Sequence, residues 1–263
     1  LESIFSTGKI HSVLYSNPNN PTWVCLTDEE LKIIGELANK YDVIILEDLA
    51  YFGMDFRKDY SHPGVAPFQP TVGKYTDNYI LMLSTSKAFS YAGERCAVLG
   101  ISNKLAERRY PDLKEFCGQD IFARGIIFGA LHPLSSGTSH SAQYAVAGVM
   151  KAVNDGTYNY RDDVLEYGEK AKMMKDAFTS NGFKFTYDED LGEPIADGFY
   201  FTYYYPGFTG AELLEKMLYY GISAISLDTC GSTRQGIRAC TSLIQRDEIP
   251  VLAERLRRFA EDH

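Results

Sequence analysis

Over its first hundred residues the chain alternates short apolar runs with longer amphipathic stretches. Residues 12–15 form a brief apolar run that stops at the turn-forming cluster Ser16-Asn17-Pro18-Asn19-Asn20-Pro21. Beyond it, Thr27 is placed to cap a helix. Asp28, Glu29 and Glu30 put negative charge at its positive end, and Leu31, Ile34, Leu37 and Ala38 recur at helical spacing. Residues 43–46, 79–83 and 96–101 are continuous apolar runs, which suits parallel strands covered on both faces. Strands alternating with helices predict an α/β sheet with right-handed crossovers.

From residue 141 to 178 the period becomes helical, carried by Tyr144, Val146, Val149 and Met150 and then by Val164, Leu165, Tyr167, Met173 and Met174. After Asn181-Gly182 the elements shorten. Residues 183–187, 198–205 and 236–240 are predicted strands, and residues 210–220 and 249–260 predicted helices. The expected organisation is a large domain over residues 1–140, connecting helices over 141–180 and a smaller α+β domain over 181–263. The alternating Phe and Tyr of residues 199–205 suit strand packing more than selectivity. Residues 1–10 resemble the tail of a helix running into a strand, and the chain opens on Leu1, so a fragment of a longer protein is expected.

Composition narrows the function classes. A net charge of -9 argues against nucleic acid or an anionic membrane as partner. No apolar run approaches the ~20 residues of a membrane helix, and no signal-peptide pattern is present, so a cytoplasmic protein is expected. The cysteines, Cys25, Cys96, Cys117, Cys230 and Cys240, lack paired spacing, which predicts reduced and mostly buried thiols. His11, His62, His132, His140 and His263 never fall at HxxxH or HxH spacing, so no metal site is expected.

Taken singly, the chemical motifs say little. Residues 17–22 could be no more than a rigid turn, and Lys87 no more than a solvated charge at the end of a strand. Asp48 ends an apolar strand, where α/β proteins commonly place an active-site acid. Their order is more informative. Asn20-Pro21-Thr22, Asp48-Leu49-Ala50-Tyr51, Ser84-Thr85-Ser86-Lys87, Arg95 and finally Gly236-Ile237-Arg238 follow one another along the chain. This series resembles the signature of the fold type I pyridoxal-phosphate (PLP) aminotransferases of class I/II, whose forms are N-P-T-G, D-x-A-Y, S-x-S-K and G-x-R. The resemblance runs through essentially the whole chain. It implies an α/β, mostly parallel large domain, incomplete in this sequence, followed by a smaller α+β domain.

The resemblance also implies roles. Lys87 would form the Schiff base with PLP and serve as general base and acid, with its amine kept partly unprotonated by desolvation and the cationic cofactor. Asp48 would pair with the pyridine nitrogen, Tyr51 and Asn20 would hydrogen-bond the phenolic oxygen, and Ala50 would lie under the ring. Ser84, Ser86 and Arg95 would hold the phosphate, and Arg238, with Asn20, the substrate's α-carboxylate. The implied reaction moves an amino group from an α-amino acid to a 2-oxo acid by a ping-pong route. β-Elimination, as in carbon–sulfur lyases and related synthases, uses the same site, and aminotransferase-like domains also occur in transcription regulators. A homodimer is implied, with residues 135–143 matching the region that reaches toward the partner's phosphate. An N-terminal stretch present in the family, with its phosphate-binding turn, a stacking aromatic and several strands, is missing from the sequence, so unpaired edges and apolar faces are expected. Two residues depart from the pattern. Trp23 replaces a glycine, so the turn is expected to do without positive φ there, with the indole either shaping the substrate pocket or, as the more ordinary reading, filling the core. Ala97 replaces the glycine two residues past Arg95.

Overall fold

The computed structural model describes residues 1–60, 62–196 and 198–263. They form two compact units. The first comprises Leu1–Asn17, Leu26–Phe52 and Tyr60–Tyr160, and the second Pro18–Cys25, Gly53–Asp59 and Arg161–His263.

In the first unit a helical turn, Glu2–Phe5, precedes β1 (Ser12–Ser16), α1 (Asp28–Tyr41), β2 (Ile44–Asp48), β3 (Tyr79–Ser84), α2 (Thr85–Ala88) and β4 (Ala97–Ile101). A capping box starts α1 where the sequence places it. The Glu30 backbone N–H donates to the Thr27 hydroxyl at 3.2 Å, and the Thr27 N–H donates to the Glu30 carboxylate at 2.8 Å. Leu31, Ile34 and Ala38 then face Phe5, Val43, Ile45 and Val72 in one apolar cluster. Each large aliphatic side chain buried there contributes about 1.5–3 kcal/mol.

The sheet order is β1-β2-β3-β4. β1 and β2 run parallel in the register Ser16↔Asp48, and β2 and β3 run parallel in the register Asp48↔Met82. The expectation of a third strand covered on both faces needs correction. β4 lies antiparallel to β3 at the sheet edge, with Val98 and Leu99 exposed. The connection from β3 holds only the four-residue α2 and a three-residue 3-10 turn, so it folds the chain back instead of carrying it across the sheet. α3 (His140–Asn154) follows in the same unit.

The second unit takes most of α4 (Tyr160–Thr179), then β5 (Lys184–Tyr187), β6 (Tyr200–Tyr204), α5 (Gly210–Tyr219), β7 (Ile225–Ser226), β8 (Ile237–Cys240) and α6 (Ile249–Asp262). Its sheet runs β5-β6-β8-β7, each pair antiparallel. The period of two sorts the strand residues. Phe201 and Tyr203 of β6 and Ile237 and Ala239 of β8 enter a core with Phe178, Leu213, Met217, Leu256 and Phe259 of the helices. Tyr200 and Arg238 therefore belong to the other face of the sheet. Gly236, at φ 141°, is glycine by necessity, because an added Cβ would lie 2.6 Å from the Tyr203 carbonyl oxygen.

The cysteines are all free, but they are not mostly buried as expected. Cys96 alone is buried, Cys240 is exposed and the other three are intermediate. Cys240 sits on β8 at an outward position of the two-residue period, and the remaining three lie in loops or at the end of a five-residue helix. Among the described residues no helix is long and apolar enough to cross a membrane.

Candidate active site

The parallel register brings chemically distinct residues to one edge of the first sheet. Asp48 is the last residue of β2, its carbonyl accepts from the Asn17 N–H at 2.9 Å, and the Leu49 N–H donates to Met82 of β3 at 2.9 Å. The Asp48 carboxylate turns back onto its own loop, accepting from the Ala50 N–H at 2.9 Å. Burial pushes its carboxyl above the usual range, against the opposing effect of that N–H. Ala50 is half-buried and Tyr51 is buried, both in the loop that leaves β2.

β3 ends on the same edge. Ser84 is its last residue and caps α2, its hydroxyl accepting from the Ser86 N–H at 3.2 Å. Lys87 is half-buried in the single turn of helix that follows. The antiparallel return places Cys96 against this turn, its carbonyl accepting from the Thr85 hydroxyl at 2.7 Å. Arg95, one residue earlier and exposed, has a left-handed backbone, and its Nη1 donates to the Ala92 carbonyl at 2.8 Å. A carboxylate, an amine, two hydroxyls and a guanidinium thus gather where parallel strands end, the place where open α/β sheets bind ligands. This donor set fits PLP, with Asp48 for the ring nitrogen, Lys87 for the aldehyde, and Ser84, Ser86 and Arg95 for the phosphate.

The remaining two site residues lie in the second unit. Arg238 projects from β8, and its Nη1 donates to the Asn20 amide oxygen at 2.6 Å. Its guanidinium carbon lies 4.0 Å from the centroid of the Tyr200 ring. The buried Nε has no hydrogen-bond partner, and no carboxylate among the described residues pairs with this arginine. A guanidinium held against a ring and by one amide, with no acid among the described residues paired to it, suits a carboxylate ligand.

The Aminotransferase class I and II family matches residues 3–256 of the chain. The chain belongs to this family. The probable aspartate aminotransferase of Methanocaldococcus jannaschii is 28% identical over 99 residues, covering 38% of this chain and 24% of that protein. Cystathionine beta-lyase of Corynebacterium glutamicum is 26% identical over 128 residues, covering 48% of this chain and 33% of that protein. The solved aromatic aminotransferase of Pyrococcus horikoshii superposes with a TM-score of 0.71 at 16% identity, over 97% of this chain and 61% of that one. The matched stretches thus span a third or less of these two curated relatives. At such low identity the superposition establishes the fold of the class I and II aminotransferases and nothing finer.

Two features of this chain lie outside the family's motifs. Glu47, beside Asp48 in β2, is fully buried. It accepts from the Thr71 hydroxyl at 2.7 Å, the Val72 N–H at 2.9 Å and the Asn17 amide at 3.4 Å. Burial pushes its carboxyl up although these donors pull it down. The apolar run of β2 hid it, since only long-range partners distinguish it from a surface acid. The second is Trp23. The turn does use positive φ there, at 63°, contrary to the expectation drawn from the lost glycine. The indole is wholly buried, as a core residue would be, and packing offsets the backbone cost. A polar concavity of about 580 Å³ at the opposite, amino edge of the first sheet is a poor anion site. Its Arg108 is already paired with Asp42, and Lys74 with Asp28.

Proposed function

We propose that the protein is a PLP-dependent aminotransferase that moves an amino group from an α-amino acid to a 2-oxo acid. What supports this most is the gathering of Asp48, Ser84, Ser86, Lys87 and Arg95 on one sheet edge by the Asp48↔Met82 and Ser84↔Ala97 registers. When bound, PLP supplies an electron sink for the charge left on the substrate's α-carbon. Lys87 would hold PLP by its aldehyde, and its freed amine would take the proton from the substrate's Cα and deliver it to the cofactor's aldehyde carbon. Asp48 would pair as a carboxylate with the ring nitrogen and keep it protonated, the positive ring opposing the upward push of burial on its carboxyl. Tyr51 and Asn20 donate to the phenolic oxygen, and Ala50 leaves room for the ring. Ser84, Ser86 and Arg95 fix the phosphate, and Arg238 clamps the substrate's carboxylate by its planar fork. A homodimer, with residues 135–143 at its interface, and a cytoplasmic location complete the proposal.

Elimination from a cysteine-like substrate is the second reading, favoured by the similarity to cystathionine beta-lyase. The absorbance spectrum with PLP, before and after a panel of amino acids, separates the two. A bound-cofactor band that shifts with an amino acid, with turnover needing a 2-oxo acid, is the expected result. Pyruvate and ammonia released without an oxo-acid acceptor would move the assignment to a lyase. Absence of any band would overturn the role of Lys87.

A further inference from the structure

Trp23 is the one tryptophan of the chain. It adopts a left-handed backbone that a bulky residue enters only at a cost. The turn around it is tightly closed, with the Trp23 N–H donating to the Asn19 carbonyl at 2.9 Å and the Asn19 N–H to Val24 at 2.8 Å. The indole meets the Tyr200 ring edge-on, at 5.9 Å between centroids and 83° between planes. The Tyr200 ring in turn carries the Arg238 guanidinium at 4.0 Å. Asn20, in the same turn, holds that guanidinium by its Nη1. One short turn therefore grips the arginine twice, directly through Asn20 and from beneath through two rings in edge-on contact.

Gly198 makes this possible. A Cβ there would lie 2.1 Å from the indole Nε1 and Cε2, while the Gly198 backbone is outside the left-handed region. The glycine is thus explained by space and not by conformation. We propose that Trp23 is a positioning residue that acts through Tyr200 to hold Arg238 flat for a carboxylate, with Gly198 as the clearance for the indole. The inference rests on the reading of Arg238 as the substrate's carboxylate anchor.

The single tryptophan makes the coupling readable without turnover. The full chain with its cofactor is titrated with sodium propionate at constant ionic strength, with propionamide as control, while tryptophan emission is followed. A saturable change with propionate alone is expected, and no change would overturn the inference. Calorimetric titration then measures propionate affinity in variants. Trp23→Ala and Gly198→Ala are each expected to weaken binding about tenfold, the loss of one desolvated cation–π support. Trp23→Phe, which keeps a ring beneath Tyr200, is expected to stay within about threefold. A purely structural role would lower the fraction of binding-competent protein and leave the affinity of that fraction unchanged, which would refute positioning. If Arg238→Gln abolishes binding while Trp23→Ala and Gly198→Ala bind as the parent does, the inference fails and the anchor stands. If Arg238→Gln binds propionate like the parent, the anchor itself fails.

Discussion

Removing the Glu47 side chain tests how strand β2 is held in the position from which it presents Asp48. In Glu47→Ala the Val72 N–H and the Asn17 amide, both buried, lose their acceptor, while the Thr71 hydroxyl is only partly buried and can turn away. Two orphaned buried donors at about 1–3 kcal/mol each, with the small cavity added, give an expected loss of roughly 3–5 kcal/mol. Glu47→Gln should be milder. Its amide oxygen can keep the bonds from Thr71 and Val72, and its amide nitrogen gives up only the long bond from Asn17. The cost should be about 1–3 kcal/mol, that of the single donor left without an acceptor. The pH dependence follows from the raised carboxyl of Glu47. Folding favours the protonated acid, so its contribution is full below the ordinary value of 4.5 and is lost as pH rises through the folded value. Urea unfolding of parent and Gln variant from pH 4 to 8 should therefore show the parent losing ground to Gln as pH rises. A Gln variant as damaged as Ala at every pH, or a difference flat with pH, would refute the reasoning.

The other expectations are briefer. Lys87→Ala should lose the bound-cofactor absorbance shift with amino acids and turnover together; retained turnover would remove Lys87 from the chemistry. Asp48→Asn deletes the carboxylate opposite the ring nitrogen and should lower PLP affinity on the order of 10²–10³-fold, as for breaking a buried charge pair, read by equilibrium dialysis. Thr27→Ala should cost about 1 kcal/mol by loss of the capping box, measured as a shift of the urea midpoint. Arg108→Ala removes the partner that holds the Asp42 carboxyl below its ordinary range. That contribution exists above pH 3.8 and fades as pH falls through the lowered value. Because Asp42 is largely exposed, the change in stability should be about 0.5 kcal/mol or less.

Local signals carried much of the fold. Thr27 and Glu30 fix the start of α1 through bonds three residues apart, and Leu31, Ile34 and Ala38 fix its buried face by period alone. Phe201 and Tyr203 separate from Tyr200 and Thr202 by the strand period. The gathering of Asp48, Ser84 and Lys87 on one edge was legible because motifs at the ends of parallel strands must share an edge. β4 was not legible, since an apolar run carries no sign of its neighbour's direction. Its orientation is decided by the shortness of the connection from β3.

Glu47 and Trp23 were hidden for a different reason. The environment of each is made by residues distant in sequence: Thr71 and Val72 for the acid, Tyr200 and Gly198 for the indole. A lost glycine at position 23 suggests a turn without positive φ only if each residue is judged by its own backbone preference. The turn keeps the conformation because ring packing against Tyr200 and the hydrogen bond to Asn19 offset the strain, and because Gly198 yields the volume of a side chain. Three departures from local rules therefore meet at one place: a tryptophan in a left-handed turn, a glycine kept for space, and an arginine without a carboxylate. Departures of this kind persist where function compensates for them. That is a physical reason, independent of any motif, to look for a bound carboxylate at Arg238.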